Sequence, residues 1–79
     1  MNAESSRSLR VAVTGGAGRL GQQVIRELLE HGHSPICIDQ RTPDGDPRER
    51  RYPIKIADLT NLGETYGMLR GADAVVHTA

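Results

Sequence analysis

Short apolar runs recur along the chain and predict buried β-strands. The first run, Val11 to Val13, is almost continuously apolar, which is typical of a strand covered on both faces. Three similar runs follow at intervals along the sequence. The pattern predicts strands over residues 9–14, 35–39, 53–57 and 74–77.

A helical periodicity separates the first two predicted strands. Apolar residues recur at spacings of three and four over residues 19–31, and Gly32 is placed to end a helix there. The polar positions of this segment, Gln22 and Gln23 among them, are expected to face water. The apolar stripe consists of Leu20, Val24, Ile25, Leu28 and Leu29.

The later connections differ from the first. Residues 40–51 are rich in charge, proline and glycine but carry no apolar stripe, so a crossover helix is predicted to be missing or reduced to a turn there. A second helix is predicted to begin at Asn61, which forms a capping-box pattern with Glu64, and to end at Gly71. Its predicted buried stripe is Leu62, Tyr66 and Leu69.

Strands that alternate with crossover connections predict an α/β fold with a parallel sheet. In a Rossmann-type doubly wound arrangement the strand order is 3-2-1-4, and the ligand crevice lies beyond the carboxyl ends of strands 1 and 4. Because no helix is predicted after the fourth strand, we expect the sheet to be incomplete on its C-terminal side. Residues 1–8 are predicted to be a flexible leader, and residues 9–79 the N-terminal portion of this α/β domain.

A glycine-rich segment directly follows the first predicted strand. Gly15, Gly18 and Gly21 are spaced three residues apart, with Gly16 as an additional glycine. We expect Gly15 to form the tight turn, Gly18 to let the backbone approach phosphate oxygens, and Gly21 to let the helix lie close to the strand. Strand, glycine turn and helix N-terminus in this order predict a pyrophosphate site.

An acidic residue at the end of the second strand completes the dinucleotide pattern. Asp39 lies 18 positions after Gly21, close to the spacing at which a carboxylate binds both hydroxyls of an adenosine ribose. Arg41 would instead favour NADP, because a guanidinium can bind the 2′-phosphate of that cofactor. A carboxylate repels that phosphate, so NAD is favoured over NADP.

Further polar residues come at strand ends or at the helix start. Asp58 and Leu59 are predicted to meet the adenine ring, although Asp58 could instead prepare the start of the second helix. Arg19 could pair with phosphate or point to solvent. His77 is interpreted as a packed strand residue rather than a catalyst.

Composition narrows the classes of function. The chain has 79 residues and no formal net charge, which gives it no electrostatic reason to bind nucleic acid or an anionic membrane. The sequence has no apolar run near 18 residues, and one cysteine, Cys37, excludes an internal disulfide and indicates a reducing, cytoplasmic environment. Because so short a chain makes a small core, we expect it to be the front part of a larger domain.

These motifs together resemble the extended short-chain dehydrogenase/reductase family, the NAD-dependent epimerase/dehydratases. Residues 14–21 match the family's T-G-x-x-G-x-x-G, and residues 73–79 match its D-x-V-x-H-x-A segment. The resemblance implies a nicotinamide cofactor and a small-molecule hydroxy or keto substrate, often a nucleotide sugar. The residues expected to bind the cofactor are Gly15, Gly18, Arg19, Leu20, Gly21, Asp39, Arg41, Asp58, Leu59, Thr78 and Ala79.

The resemblance also implies a catalytic Tyr-x-x-x-Lys pair that these residues do not contain. The only lysine, Lys55, follows Tyr52 by three positions instead of four. We therefore assign no catalytic or metal-binding residue and expect the 79-residue chain to be inactive by itself. A sugar-acid dehydrogenase, another reductase and a non-catalytic dinucleotide-binding or redox-sensing module remain alternatives, and a homodimer is left open.

Overall fold

A computed structural model describes residues 8–61, 63 and 67–78 of the protein. Its four strands form one parallel sheet with the order β3-β2-β1-β4, as the sequence predicts. Each strand lies within one residue of its predicted bounds. The strands are β1 (Arg10–Thr14), β2 (Ser34–Asp39), β3 (Ile54–Ile56) and β4 (Ala74–His77).

The connections also follow the prediction. Helix α1 (Arg19–Glu30) joins β1 to β2 and ends at His31, followed by Gly32 with a φ of +80°. The segment between β2 and β3 contains only a 3₁₀ turn at Pro47–Glu49, begun by Asp46, whose side chain accepts from the Arg48 N–H. Residues 63, 67 and 68 are helical where the second helix is predicted. The predicted roles of Leu62, Glu64 and Tyr66 lie outside the described residues.

The two central strands, β1 and β2, are covered on both faces, because they carry apolar residues at successive positions. On the α1 face, Val11, Val13 and Cys37 pack against Ile25 of the helix. On the opposite face, Ala12, Ile38 and Ala57 form a second cluster. Partly buried residues of the 59–72 segment cover this second cluster: Leu59, Met68, Leu69 and Ala72. Both ends of the segment after β3 therefore pack against the sheet.

Two of the predicted positions on α1 behave differently from the expectation. Leu20, assigned to the apolar stripe, is 57% exposed, whereas Ile25 is 2% exposed. Gln22, expected to face water, is partly buried and makes two side-chain hydrogen bonds. The reason is that the first turn of α1 rises from the glycine turn at the edge of the sheet, so Gln22 faces protein and Leu20 does not.

Glycine packing determines how closely α1 approaches the turn that precedes it. A Cβ on Gly21 would lie 2.3 Å from the Gly15 carbonyl oxygen and 2.6 Å from the Gly16 Cα. A Cβ on Gly16 would lie 2.7 Å from the Sγ of Cys37 in β2. The sequence interpretation treated Gly16 as an extra glycine, and the structure shows that it is required by packing.

We predict that Gly21→Ala destabilises the protein by about 1–3 kcal/mol, because the new methyl group must displace backbone atoms that cannot rotate away. The matched control is Gly67→Ala, since a Cβ there meets nothing within 4 Å and the residue is helical and exposed. Removing that helical glycine should stabilise the protein by about 0.5–1 kcal/mol. Urea unfolding measures both free energies, and equal effects of the two substitutions would contradict the packing argument.

Candidate functional site

The glycine turn lies at the carboxyl ends of the central strands. Gly15 has a φ of +75°, which explains the need for glycine directly after β1. Its N–H donates to the Ile38 carbonyl of β2 at 2.9 Å, and the Gly18 N–H donates back to the Gly15 carbonyl at 3.1 Å. The turn is therefore anchored to β2 on one side and closed on itself on the other.

Gly18 is the residue that precedes the first turn of α1. Its backbone is extended, no side chain caps the helix, and the first turn contains no acidic residue. A Cβ on Gly18 would have its nearest contact at 3.4 Å, from the Gly15 carbonyl oxygen, so the packing of the protein itself does not demand glycine here. Arg19 and Leu20, the next two residues, are exposed. The helix N-terminus is therefore accessible to an external group.

Asp39 lies against the glycine turn. Its Oδ2 accepts a hydrogen bond from the Ala17 N–H at 2.9 Å, and its Oδ1 accepts from the Arg41 N–H at 3.3 Å. The carboxylate is thus oriented by two backbone donors at the end of β2. The Arg41 side chain is exposed. The structure brings Asp39 and the glycine turn together, as the sequence predicts.

Asp58 has a local structural role after β3. Its Oδ1 accepts from the Thr60 hydroxyl at 2.6 Å, from the Thr60 N–H at 2.9 Å and from the Gln40 side-chain amide at 3.0 Å. The Asp58 carbonyl accepts from the Asn61 N–H, so the chain turns here toward the helical residues. These contacts match the role of preparing a helix start. The contact of Asp58 and the partly buried Leu59 with adenine stays a prediction.

Thr78, at the end of β4, holds the glycine turn from the side opposite β2. Its N–H and its hydroxyl both donate to the Thr14 carbonyl, at 2.9 and 2.8 Å, and the hydroxyl also lies 3.1 Å from the Gly15 carbonyl oxygen. The Thr14 hydroxyl is hydrogen-bonded to Nδ1 of His77. Ala79, the other predicted residue of this segment, lies outside the described residues.

The interpretation of His77 as a packed residue is wrong. The side chain is exposed, and its ring is hydrogen-bonded to the Thr14 hydroxyl. Thr14 itself is buried, with 3% of its surface exposed. The hydroxyl of Thr14 therefore links the end of β1 to the end of β4.

Two polar residues near the glycine turn were not predicted. The Gln22 amide donates to the Gly16 carbonyl at 2.6 Å, and the Tyr52 hydroxyl donates to the Gln22 side-chain oxygen at 3.2 Å. The Tyr52 ring packs against the α1-face core, and the Arg50 guanidinium lies 6.0 Å from its centroid. Helical periodicity could not identify Gln22, since its spacing places it on the polar side of α1.

Cys37 is buried directly beneath the turn. Burial, and secondarily the charge of Asp39, raise the pKa of its thiol to about 11, so at neutral pH it is a small apolar group. Within residues 8–61, 63 and 67–78, no group of three His, Cys, Asp or Glu side chains is placed to hold a metal ion. No helix in the described ranges has the length and apolar character needed to cross a membrane.

The contacts of Asp58 lead to a prediction about its titration. The Thr60 hydroxyl and N–H hold the pKa of the Asp58 carboxyl below its usual value. The interaction therefore stabilises the folded state when the pH is above the usual pKa, and this stabilisation is lost as the pH falls through the lowered pKa. Thr60→Val should raise the pKa of Asp58 toward its ordinary value. Carbon-detected NMR titration measures it, with Thr42→Val, at an exposed threonine, as the control; an unchanged pKa in Thr60→Val would refute the assignment.

Comparison with known proteins relates this geometry to a family. The family model described as NAD dependent epimerase/dehydratase family matches residues 11–79. A 3-beta-hydroxysteroid dehydrogenase from Mycolicibacterium neoaurum is 36% identical over 70 residues, which cover 89% of this chain and 19% of that protein. The chain thus spans about a fifth of the length of this relative and 8% of the length of another curated relative that it matches.

Solved structures show the same fold. A UDP-N-acetylglucosamine 4-epimerase from Bacillus cereus matches with a TM-score of 0.74 and 35% identity over 91% of this chain and 24% of that one. The Bordetella bronchiseptica enzyme WbmG, solved in complex with NAD, matches with a TM-score of 0.76 and 25% identity over 99% of this chain and 27% of that one. The Rossmann-type fold and the choice of NAD as the family's cofactor are confirmed. With its glycine turn, its Asp39 and its strand order all in place, this chain belongs to the NAD-dependent epimerase/dehydratase family.

Proposed function

We propose that the chain forms the NAD-binding portion of an enzyme that transfers a hydride between NAD and a sugar-like hydroxy or keto substrate. When bound, NAD accepts or returns the hydride at its nicotinamide ring. The matched relatives include a steroid dehydrogenase and a sugar-nucleotide epimerase at similar identity. These residues are therefore stronger evidence for the cofactor of the proposed enzyme than for its substrate.

The observation that carries the proposal is the position of the Asp39 carboxylate against the glycine turn. Oδ2 lies 2.9 Å from the Ala17 nitrogen, so a ribose-binding acceptor and a pyrophosphate-binding turn are joined by one hydrogen bond. Each carboxylate oxygen has a second lone pair, and the two oxygens together can accept from both ribose hydroxyls. In this arrangement Asp39 would hold the adenosine ribose while the turn would hold the pyrophosphate.

Gly18 adds independent support for a ligand at the helix N-terminus. Internal packing would tolerate a Cβ at this position, so the glycine is explained by the approach of a group from outside the protein. Uncapped backbone N–H groups and the helix dipole favour an anion there. Arg19, exposed in the first turn, would add a positive charge beside the pyrophosphate.

The choice between NAD and NADP leads to a prediction. Asp39→Ala should weaken NAD binding about ten- to a hundredfold, because a charge-assisted hydrogen bond worth roughly 1.5–3 kcal/mol is lost. The same substitution should narrow the discrimination against NADP, since the repulsion of the 2′-phosphate disappears as well. Isothermal titration with NAD and with NADP measures both effects.

Arg41→Ala is the matched control for this prediction. Its side chain is exposed, and the contact with Asp39 comes from its backbone N–H, which the substitution keeps. NAD affinity should stay within about twofold of the native value, below the change expected from one lost hydrogen bond. If the native protein prefers NADP and Arg41→Ala abolishes that preference, Arg41 is the specificity residue and the role assigned to Asp39 is wrong.

The residues of the chain also lead to a prediction about turnover. Proton transfer to the substrate oxygen requires a general acid, and the 79 residues contain no Tyr-x-x-x-Lys pair to supply it. The purified 79-residue chain should therefore bind NAD without reducing it in the presence of hydroxy substrates. Absorbance at the nicotinamide band measures reduction, and measurable turnover would contradict the prediction.

A non-catalytic, redox-sensing module is the second candidate, because the same turn and carboxylate would serve it equally well. The two candidates differ in the response to the oxidation state of the nicotinamide. A sensor should bind NADH and NAD with clearly different affinities and change its oligomeric state with them. An enzyme should show hydride transfer once the residues that follow in the longer relatives are present.

A further inference from the structure

The peptide bond between Gly16 and Ala17 is held at both of its polar ends. Its N–H donates to Oδ2 of Asp39 at 2.9 Å, and its carbonyl accepts from the Gln22 amide at 2.6 Å. The two atoms point in opposite directions because a trans peptide unit is planar. Rotation of this peptide would therefore disturb both hydrogen bonds together.

The hydrogen bonds define the orientation of the Gln22 amide. A backbone carbonyl can only accept, so the atom that faces Gly16 must be the NH₂ group. This leaves the side-chain oxygen to accept from the Tyr52 hydroxyl at 3.2 Å. Tyr52 is itself held by packing of its ring against the α1-face core, just before β3. A continuous chain of donors and acceptors thus runs from Tyr52 through Gln22 and the 16–17 peptide to Asp39.

We infer that Gln22 is a positioning residue for the Asp39 carboxylate. This inference rests on the proposed function, in which Asp39 binds the ribose of NAD. Gln22 lies across the turn from Asp39 and needs no contact with the cofactor, since it acts by fixing the plane of the peptide whose N–H orients Oδ2. Loss of the Gln22 amide frees that peptide to tilt, and the carboxylate then loses its alignment toward the ribose hydroxyls.

The hydrogen bond from the Tyr52 hydroxyl to Gln22 is easier to replace than the hydrogen bond from Gln22 to the Gly16 carbonyl. Gln22 and Tyr52 both line a cavity of about 440 Å³ between α1 and the segment before β3. The cavity is wide enough to admit water, which can replace the Tyr52 hydroxyl as a donor to Gln22. The Gly16 residue is buried and is not part of the lining of this cavity, so we expect no water to replace the donor that its carbonyl loses when the Gln22 amide is removed.

The test compares Gln22→Leu with Gln23→Leu in the full chain. Gln23 is the next residue on the same helix and is exposed, so the second variant makes the same chemical change away from the turn. Gln22→Leu should weaken NAD binding about three- to tenfold, the change that corresponds to one neutral hydrogen bond, and should narrow the NAD over NADP preference. Gln23→Leu should change neither, and Tyr52→Phe should change NAD affinity less than about twofold because water replaces its hydroxyl.

Two further measurements separate positioning from a purely structural effect. In an Asp39→Ala background, Gln22→Leu should produce no additional loss of NAD affinity, because its effect passes through the carboxylate. Without any cofactor, the Ala17 amide proton resonance should move upfield in Gln22→Leu and stay in place in Gln23→Leu, because its charge-assisted hydrogen bond is weakened only in the first.

Other outcomes overturn the inference or the proposed function separately. An unchanged Ala17 resonance, or an equal loss of NAD affinity with and without Asp39, would show that Gln22 does not position the carboxylate. If Gln22→Leu fails to fold, Gln22→Glu replaces it, since a carboxylate accepts from Tyr52 but cannot donate to Gly16 at neutral pH. If the native chain binds no NAD, the proposed function fails, while the Ala17 resonance still decides the role of Gln22.

Discussion

The close contact between the start of α1 and the turn that precedes it is the constraint on which the rest of the structure depends. Gly21 lies so near the backbone of Gly15 and Gly16 that no side chain fits between them, and Gly16 lies equally near Cys37 of β2. The helix therefore meets the turn backbone to backbone, and the turn lies directly on the Cys37 side chain of β2. Any residue larger than glycine at these two positions would push the helix away from the sheet.

Polar groups from the ends of two strands, β2 and β4, bind the same turn. Asp39 at the end of β2 binds the turn through the Ala17 N–H, and Thr78 after β4 binds it through the Thr14 and Gly15 carbonyls. The turn is thus held from both neighbouring strands by contacts within the protein. Because the turn is already ordered, the binding of a dinucleotide would cost less conformational entropy.

Glycine serves two different purposes within the motif. Gly15, Gly16 and Gly21 are explained by the protein itself, through a left-handed backbone or through contacts with neighbouring atoms. Gly18 has no positive φ, and a Cβ there would come no nearer than 3.4 Å to another part of the protein, so neither reason explains this glycine. Three of the four glycines are therefore required by the fold, and the fourth, Gly18, is not.

The sequence by itself determined the strands and the residues at their ends, because apolar periodicity and the spacing from Gly21 to Asp39 are local properties of the chain. The strand order was predicted from the doubly wound arrangement that alternating strands and crossovers indicate. Only the tertiary structure decided which side chains face protein at the turn. Gln22 has the spacing of a solvent-facing helical residue, yet it is partly buried because the turn curves back over it and Tyr52 arrives from a segment 30 residues away. Such contacts form between segments that are distant in sequence, so a local sequence pattern cannot predict them.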